Sequence, residues 1–278
     1  MIQLNPLDYA KVAPMVRSVP FNNLFARVVI ENKVDGHVFV DDVSNPSVSL
    51  IVHKYGMALL CGSYENDAFN HQLVRFLKHP TVEFPAKYLL THPEQWGQKL
   101  AALLGSVKLK VDGKELELEQ ENNAFCLQTQ RINYAFASPS RLHDILVPAS
   151  FTVARIDQDI YRKIHEVQNS VVPDHFWNSA EDFLENGIGF ALLYDDQIVS
   201  ASFASYIVDD QLELGVETTA AFRKKGYSVY AASALVSYCL TNGYKPLWAC
   251  RRENIGSSRL AERLGFAPAS YHPYFCMT

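Results

Sequence analysis

Short runs rich in β-forming residues alternate with runs of helical periodicity from Ala149 to the C-terminus. Helices and strands in this order bury their apolar faces against one another, so this half of the chain is restricted to a layered α/β fold with a mixed sheet. Three consecutive apolar runs, separated by Asp195-Asp196 and Asp209-Asp210, predict an antiparallel meander. Strands are predicted over residues 152–156, 188–194, 198–208, 212–218, 246–250 and 269–276, and helices over residues 157–169, 179–186, 226–242 and 257–264.

The longest predicted helix, residues 226–242, contains no charged residue. Its serines, tyrosines and Asn242 indicate a helix buried in a soluble protein rather than a membrane span. Gly243 and Gly265 are expected to end this helix and the last one. The face of the long helix that packs on the sheet is expected to consist of Tyr227, Tyr230, Ala231, Ala234, Leu235 and Tyr238.

Charge and cysteine content exclude several classes of protein. The 278 residues carry 25 Lys plus Arg against 30 Asp plus Glu, which does not favour a polycationic nucleic-acid binder. The five cysteines are far apart and form no CxxC pair, so a reducing, cytoplasmic compartment is expected. No His, Cys, Asp or Glu cluster has zinc-ligand spacing, so no metal is expected, and residues 1–11 do not resemble a signal peptide.

A shift of 160 residues aligns the two halves of the chain. It places residues 99–105 on 259–265, the helix starting near Asn66 on the one starting at Gly226, and Asp35-Gly36 on Asp195-Asp196. We therefore hypothesise an internal repeat with domains over residues 1–140 and 150–278, a chance match of amphipathic stretches being the alternative. Residues 106–120 alternate in hydrophobicity around Asp112-Gly113, which predicts an added β-hairpin with a type I′ turn.

A basic segment lies between the last strand of the meander and the longest helix. A helix N-terminus binds phosphate readily because its first N–H groups are unpaired and lie at the positive end of the dipole. Gly226 lets the backbone approach a ligand, and the adjacent cations raise the local potential. A diphosphate site is therefore expected, with a solvated basic turn as the alternative; neither a Walker A loop nor a GxGxxG fingerprint is present. This segment, called the basic loop below, consists of Arg223, Lys224, Lys225, Gly226, Tyr227 and Ser228.

The order of a strand, Arg-x-x-Gly-x-small, a long helix, a strand and the motif at 254–266 resembles the GCN5-related N-acetyltransferase (GNAT) superfamily over residues 150–278. The resemblance implies a GNAT-like acyl-CoA N-acyltransferase fold in which backbone amides of the basic loop hold the pyrophosphate of acetyl-CoA, the co-substrate. It implies that Asn254, with Ser257 in the same motif, contacts the CoA arm. It also implies that the backbone at Glu217 and Thr218 holds the acetyl carbonyl and the pantetheine arm. Ser228 stands where the family has Gly or Ala.

Within the superfamily, residues 248–257 and 36–46 resemble the tandem-domain branch that includes zwittermicin A resistance proteins. In the N-terminal copy the basic loop falls on residues 63–68, which contain no glycine. Glu65 and Asp67 in this segment would repel a diphosphate. The N-terminal copy is therefore predicted to be degenerate and to bind no CoA, leaving one active site per chain.

Acetyl transfer needs a base that deprotonates the amine and a site that accommodates the CoA thiolate as leaving group. Glu213 and Glu217 lie on one side of an ideal strand, and Glu213 is the favoured base, although either could be a surface-facing glutamate. Ala261 occupies the position where many family members have the tyrosine that protonates the thiolate. Tyr271, His272 and Tyr274 on the last strand are candidate substitutes for this acid. Cys250 is either a nucleophile or a core residue. Three aromatic residues either line an acceptor pocket or belong to the core: Phe176, Trp177 and Phe183.

The sequence therefore favours an N-acyltransferase that moves an acetyl group from acetyl-CoA to a small-molecule amine by direct attack in a ternary complex. A catalytically silent acyl-CoA-binding regulatory protein is one alternative, which the absent tyrosine favours. An α/β protein whose basic loop binds another diphosphate is a second. The expected partner is the amine, with no nucleic acid and no membrane, and a homodimer is compatible with the sequence.

Overall fold

The computed structural model describes residues 1–79, 82–105, 107–112, 115–118, 126–142, 144–167 and 169–277. The chain forms two compact units: unit 1 comprises Met1–Ile132, Cys250–Asn254 and Ser270–Thr278, and unit 2 comprises Asn133–Ala249 and Ile255–Ala269. These units differ from the predicted linear domains 1–140 and 150–278, because the last strand pairs with a strand of the N-terminal half. No helix among the described residues is long and apolar enough to cross a membrane.

Unit 1 contains short N-terminal helices followed by alternating strands and helices. Its strands are β1 (Ile2–Gln3), β2 (Gly36–Val40), β3 (Val48–His53), β4 (Met57–Gly62), β5 (Tyr88–His92), β6 (Val107–Asp112), β7 (Glu115–Leu118) and the first part of β8 (Cys126–Phe136). Its helices are the 3-10 helix Pro6–Val12, α1 (Ala13–Arg17), α2 (Leu24–Ile30), α3 (Asp67–Lys78) and α4 (Gln95–Leu104).

Helices cover both faces of the sheet in unit 1. β2, β3 and β4 pair antiparallel, and β5 pairs parallel with β4. α2 contacts these three antiparallel strands, whereas Phe69 of α3 and Trp96 of α4 lie in one core cluster with Leu50 and Leu60. Every residue of β3 is consequently buried, as in strands that are covered on both sides.

The predicted hairpin between the two halves is confirmed by the antiparallel pairing of β6 with β7. β6 also pairs parallel with β8. The type I′ turn predicted for this hairpin at Asp112-Gly113 includes residue 113, which lies outside the described residues.

Unit 2 has the predicted order β-α-α-β-β-β-α-β-α-β. Its strands are β9 (Thr152–Arg155), β10 (Gly189–Tyr194), β11 (Gln197–Val208), β12 (Gln211–Thr218), β13 (Lys245–Arg251) and β14 (Phe266–Met277), of which the ends of β13 and β14 are grouped with unit 1. Its helices are the 3-10 helix Pro139–Leu142, α5 (Gln158–Glu166), the 3-10 helix Pro173–His175, α6 (Ala180–Asn186), the 3-10 helix Ala220–Phe222, α7 (Ser228–Thr241) and α8 (Ile255–Arg263).

The sheet of unit 2 runs in the order β9-β10-β11-β12-β13. The first four strands pair antiparallel, which confirms the predicted meander, and β12 pairs parallel with β13. α7 contacts β10, β11 and β12, where Ala231 packs with Leu192 and Val199. Trp177 lies at β11 and donates its indole N–H to the Ala204 carbonyl at 2.8 Å.

The buried stripe of α7 differs in part from the predicted one. Ala231 and Leu235 are buried as expected, but Val229, Ala232, Val236 and Cys239 complete the stripe, whereas Tyr227, Tyr230, Ala234 and Tyr238 are half-buried. Since the helix is apolar around most of its circumference, its periodicity alone does not specify which stripe packs on the sheet.

The two units repeat one arrangement of elements. Three antiparallel strands, a helix, a strand parallel to the third and a second helix occur as β2–β4, α3, β5, α4 and as β10–β12, α7, β13, α8. The predicted match of Asp35-Gly36 with Asp195-Asp196 is wrong, because Gly36 begins β2 whereas the two aspartates form the turn between β10 and β11.

Candidate active site

The basic loop lies where the sequence predicts it, between a strand and the longest helix of unit 2. β12 ends at Thr218, the 3-10 helix Ala220–Phe222 follows, and α7 begins at Ser228. Arg223, Lys224, Lys225 and Gly226 are exposed, while Tyr227 and Ser228 are half-buried. The loop therefore carries three cationic side chains before the N-terminal end of α7, one of which, Arg223, is paired with Glu217.

Two residues of the basic loop have left-handed backbone conformations. Lys224 has φ 63° and Gly226 has φ 76°. A Cβ atom on Gly226 would meet only Arg263 Nη1, at 3.5 Å, so the space beside this glycine is open. Left-handed residues within a turn can direct neighbouring backbone N–H groups toward a common anion.

The first N–H groups of α7 are not consumed by capping. No side chain caps this helix, and no backbone acceptor is found for the N–H groups of Gly226, Tyr227 and Ser228 among the described residues. These donors can therefore bind an anion at the positive end of the helix dipole.

The side chain of Tyr227 anchors the basic loop rather than extending from it. Its ring centroid lies 4.9 Å from that of Phe151 and 6.4 Å from that of Phe222. These three aromatic residues pack against the core cluster that contains Leu192 and Val199. The hydrophobic contacts fix the end of the loop that joins α7.

The strand before the basic loop separates from its parallel neighbour. β12 and β13 pair only at residues 211–213 with 245–247, although β12 continues to Thr218. On its other edge β12 stays paired with β11 up to Thr218. Backbone groups of residues 214–218 on the β13 side thus lie outside that ladder, where an extended ligand could bind them.

The two candidate bases differ in their surroundings. Glu213 is 5% exposed, lies at the last pair of the β12–β13 ladder opposite Leu247, and pairs with Tyr206 of β11. Glu217 accepts hydrogen bonds from the Thr218 N–H at 3.0 Å, Arg223 Nη2 at 3.2 Å and Ser170 Oγ at 2.6 Å. The Thr218 N–H, expected to hold the ligand, is thus already bonded to Glu217.

Ser170 was not predicted as a site residue. It contacts Glu217 across 47 positions of sequence, and no local motif marks it. Ser200, also unpredicted, is fully buried on β11 and donates to the Glu217 carbonyl at 2.8 Å. The sequence does not single it out, because β11 also contains Ser202 and Ser205.

The predicted CoA-arm residues fall in different units. Ser257 belongs to unit 2, where its Oγ accepts a hydrogen bond from Trp248 Nε1 at 3.1 Å. Asn254 belongs to unit 1, and its N–H donates to the Arg251 carbonyl at 2.9 Å. The basic loop, Glu213, Glu217, Thr218 and Ser257 all belong to unit 2, where Arg223 of the loop contacts Glu217 and Thr218 directly.

The aromatic residues expected near the acceptor are core residues of unit 2. Phe176, Trp177 and Phe183 are 7%, 8% and 1% exposed, respectively. Phe176 packs edge-on against Tyr206 with centroids 5.5 Å apart, and Phe183 packs against Phe203. They support the face of the sheet from which Glu213 projects, because Tyr206 is paired with Glu213.

The position of the missing tyrosine is fully buried, since Ala261 is 0% exposed. The three substitute acids all belong to unit 1. Tyr274 is 2% exposed and donates to Met57 Sδ at 3.3 Å, and burial raises its pKa, whereas burial lowers the pKa of His272. Tyr271 is 52% exposed and Cys250 is buried.

The counterpart of the basic loop in unit 1 is built differently. The segment between β4 and α3 ends at Asn66, whose side chain accepts a hydrogen bond from the Phe69 N–H at 3.0 Å and caps α3. Asn66 also donates to Asp41 Oδ2 at 3.2 Å. One of the α3 donors that would face an anion is therefore consumed within unit 1. In the described part of the chain, no group of three or more His, Cys, Asp or Glu residues could hold a metal ion.

Comparison with known proteins identifies the family of this chain. The model of the family described as GNAT acetyltransferase matches residues 17–275. An uncharacterized N-acetyltransferase, YdfB of Bacillus subtilis (strain 168), is 24% identical over 243 residues, which cover 87% of this chain and 85% of that protein.

Solved structures show the same fold at low sequence identity. A GCN5-related N-acetyltransferase-like protein from Streptococcus suis 89/1591 has a TM-score of 0.71 at 19% identity, covering 98% of this chain and 99% of that one. A tandem GNAT protein from the clavulanic acid biosynthesis pathway has a TM-score of 0.62 at 10% identity, covering 99% and 96%. Since the family model spans nearly the whole chain, this protein belongs to the GNAT acetyltransferase family.

Proposed function

We propose that this chain transfers an acetyl group from acetyl-CoA to a small-molecule amine by direct attack in a ternary complex at unit 2. The observation that carries the proposal is the N-terminus of α7, where the N–H groups of Gly226, Tyr227 and Ser228 have no acceptor in the described part of the chain and lie beside Lys224 and Lys225. A diphosphate carries the charge that this arrangement favours.

The separated edge of β12 supports the same assignment. An acetyl-CoA diphosphate at the basic loop would place its pantetheine arm along the end of β12, where residues 214–217 lie outside the β12–β13 ladder. The Thr218 N–H and carbonyl already bind the Glu217 carboxylate and Arg223 Nε. The arm can then add hydrogen bonds as an extra strand would. The acetyl group would reach Glu213, at the end of that ladder.

Glu213 is the proposed base. An amine attacks a thioester only after losing a proton, and a carboxylate at the end of the separated strands can take it directly or through water. The CoA thiol has a pKa near 8.5, about that of a cysteine, so it can leave as a thiolate although Ala261 supplies no hydroxyl.

One active site per chain is part of the proposal. In unit 1, Asn66 caps α3, Glu65 stands where the basic loop has Lys225, and Asp67 adds a second carboxylate. These features oppose binding of a second diphosphate.

Acetyl-CoA binding is tested by calorimetry and by thermal shift with acetyl-CoA, CoA and ATP. We expect one acetyl-CoA per chain and, at a hundredfold excess over Kd, a stabilisation of about 2.7 kcal/mol. Gly226→Glu should abolish the shift by placing a carboxylate at the diphosphate. Gly243→Glu is the matched control, because Gly243 also has positive φ but lies beyond the opposite end of α7.

Thiol release from acetyl-CoA with a panel of amines separates the enzyme from its alternatives. Amine-dependent release supports the proposal. Binding of acetyl-CoA without release would support a silent acyl-CoA-binding protein, and a shift with ATP alone would support another diphosphate ligand.

A further inference from the structure

The Glu217 carboxylate is surrounded by donors from three segments of unit 2. Oε1 accepts from the Thr218 N–H and from Arg223 Nη2, and Oε2 accepts from Ser170 Oγ. The side chain is only 13% exposed. A carboxylate has about four acceptor positions, so three donors leave little room for the N–H of an incoming amine.

Arg223 is fixed through both its backbone and its guanidinium group. Its N–H donates to the Ala220 carbonyl at 3.3 Å, and its Nε donates to the Thr218 carbonyl at 3.0 Å. Together with the Nη2 bond to Glu217, these contacts direct the side chain back onto the end of β12. Arg223 thus anchors the start of the basic loop. Lys224 and Lys225 form no ion pair among the described residues and remain as the cations of the loop.

The conformation that follows Arg223 requires such support. Lys224 has φ 63°, a left-handed conformation that is unfavourable for a residue with a Cβ atom. Such a residue keeps this conformation only when its neighbours determine it. Glu217, by holding Arg223 immediately before Lys224, provides that constraint.

Ser170 connects Glu217 to a second segment. This serine lies between α5 and the 3-10 helix Pro173–His175. Phe176 directly after this short helix packs on Tyr206, the residue paired with Glu213. One carboxylate therefore contacts both the basic loop and the segment beside the proposed base.

We propose that Glu217 is a positioning residue that fixes the basic loop through Arg223 and the segment next to Glu213 through Ser170, and that it is not the base. This inference rests on the proposed function and assigns different roles to two carboxylates of one strand. Acetyl-CoA affinity depends on Glu217, and the chemical step depends on Glu213.

A double-mutant cycle of Glu217→Gln, Arg223→Gln and the double variant tests the proposal. For each variant, the Kd of acetyl-CoA is measured by calorimetry and kcat is measured at saturating acetyl-CoA. Each single substitution should raise Kd about tenfold with kcat within about threefold. The double variant should raise Kd no further, because both changes remove the same interaction. Glu213→Gln should show the reverse, an about hundredfold lower kcat with Kd within about twofold.

Ser170→Ala tests the second contact. It should raise the KM of the amine about threefold and leave the acetyl-CoA Kd within about twofold. A tenfold change in the acetyl-CoA Kd instead would contradict the separate roles of the two contacts.

Two results would overturn the positioning role: a loss of kcat in Glu217→Gln equal to that in Glu213→Gln at unchanged Kd, or Kd effects of the two single variants that multiply. If the wild type binds no acetyl-CoA, the proposed function fails instead. The positioning role is then measured in the free protein, where amide exchange of the basic loop should be about tenfold faster in Glu217→Gln and Arg223→Gln alike. Unchanged exchange would overturn it.

Discussion

Burial controls the chemistry of the cysteine thiols. All five cysteines are free and buried. Burial raises the pKa of Cys61, Cys126 and Cys239 to about 12 in each case. Because the thiolate is the reactive form, these side chains behave as small apolar residues in the folded protein.

Alkylation should therefore distinguish the native chain from the unfolded one. At pH 8 the thiolate fraction of a thiol with pKa near 12 is about a thousandfold below that of an ordinary cysteine, so Cys61 and Cys239 should react with iodoacetamide slower by at least about that factor. Leu7→Cys provides an exposed reference, because Leu7 is 92% exposed. Mass spectrometry of labelled peptides gives both rates, and equal rates at Cys61 and at the introduced cysteine would contradict this account.

Single residues also show how far the site can be predicted from sequence. The basic loop was predictable because its evidence is local: cations, a glycine and the start of an apolar helix stand within six positions. The contact between Ser170 and Glu217 was not, since it depends on two segments meeting in the folded unit. Their spacing along one strand makes Glu213 and Glu217 equivalent candidates for the base. Only the residues that surround each carboxylate in the folded unit distinguish them.

At the scale of elements, helix ends combine local and tertiary causes. Gly265 follows α8 with φ 96°, and its carbonyl accepts from the N–H groups of Ala137 and Ser138 at 2.9 and 3.1 Å. A Cβ atom there would collide with the Ser138 carbonyl. Gly243 follows α7 with φ 77°, but a Cβ atom there would meet nothing within 4 Å.

The two helix ends should therefore respond differently to the same substitution. Gly243→Ala should lower the free energy of unfolding by about 1 kcal/mol, the cost of a left-handed conformation. Gly265→Ala should lower it by about 3 kcal/mol or more, because displacement of the Ser138 backbone adds to that cost. Chemical denaturation of the two variants measures both values, and similar losses would show that the close approach at Gly265 costs little.

Element boundaries were predicted well where the signals are local. Ser179 caps α6, its Oγ accepting from the Asp182 N–H at 3.1 Å, as the capping-box pattern predicts. The last strand begins at Phe266, directly after Gly265, instead of at residue 269. The sequence likewise identified Gly265 as a helix end but could not reveal the Ser138 backbone against it.

At the scale of the whole molecule, the chain does not divide into two consecutive domains. The end of β14 pairs antiparallel with β5, Tyr274 opposite Leu90 and Phe275 opposite Leu89. Phe275 is fully buried in the core cluster of unit 1. The predicted linear boundary does not include this pairing, because a strand can pair with any exposed edge and neither composition nor periodicity encodes which edge it takes.

Unit 1 should therefore depend on the last residues of the chain. Phe275→Ala should destabilise it by about 3–5 kcal/mol, because it removes a fully buried aromatic ring. Tyr271→Ala on the same strand should change stability by no more than about 0.5 kcal/mol, since Tyr271 is 52% exposed. Hydrogen exchange of the β5 amides measures the difference directly. If β5 keeps the same protection in both variants, the pairing with β14 contributes little to unit 1, and residues 1–132 would hold their sheet without the C-terminal strand.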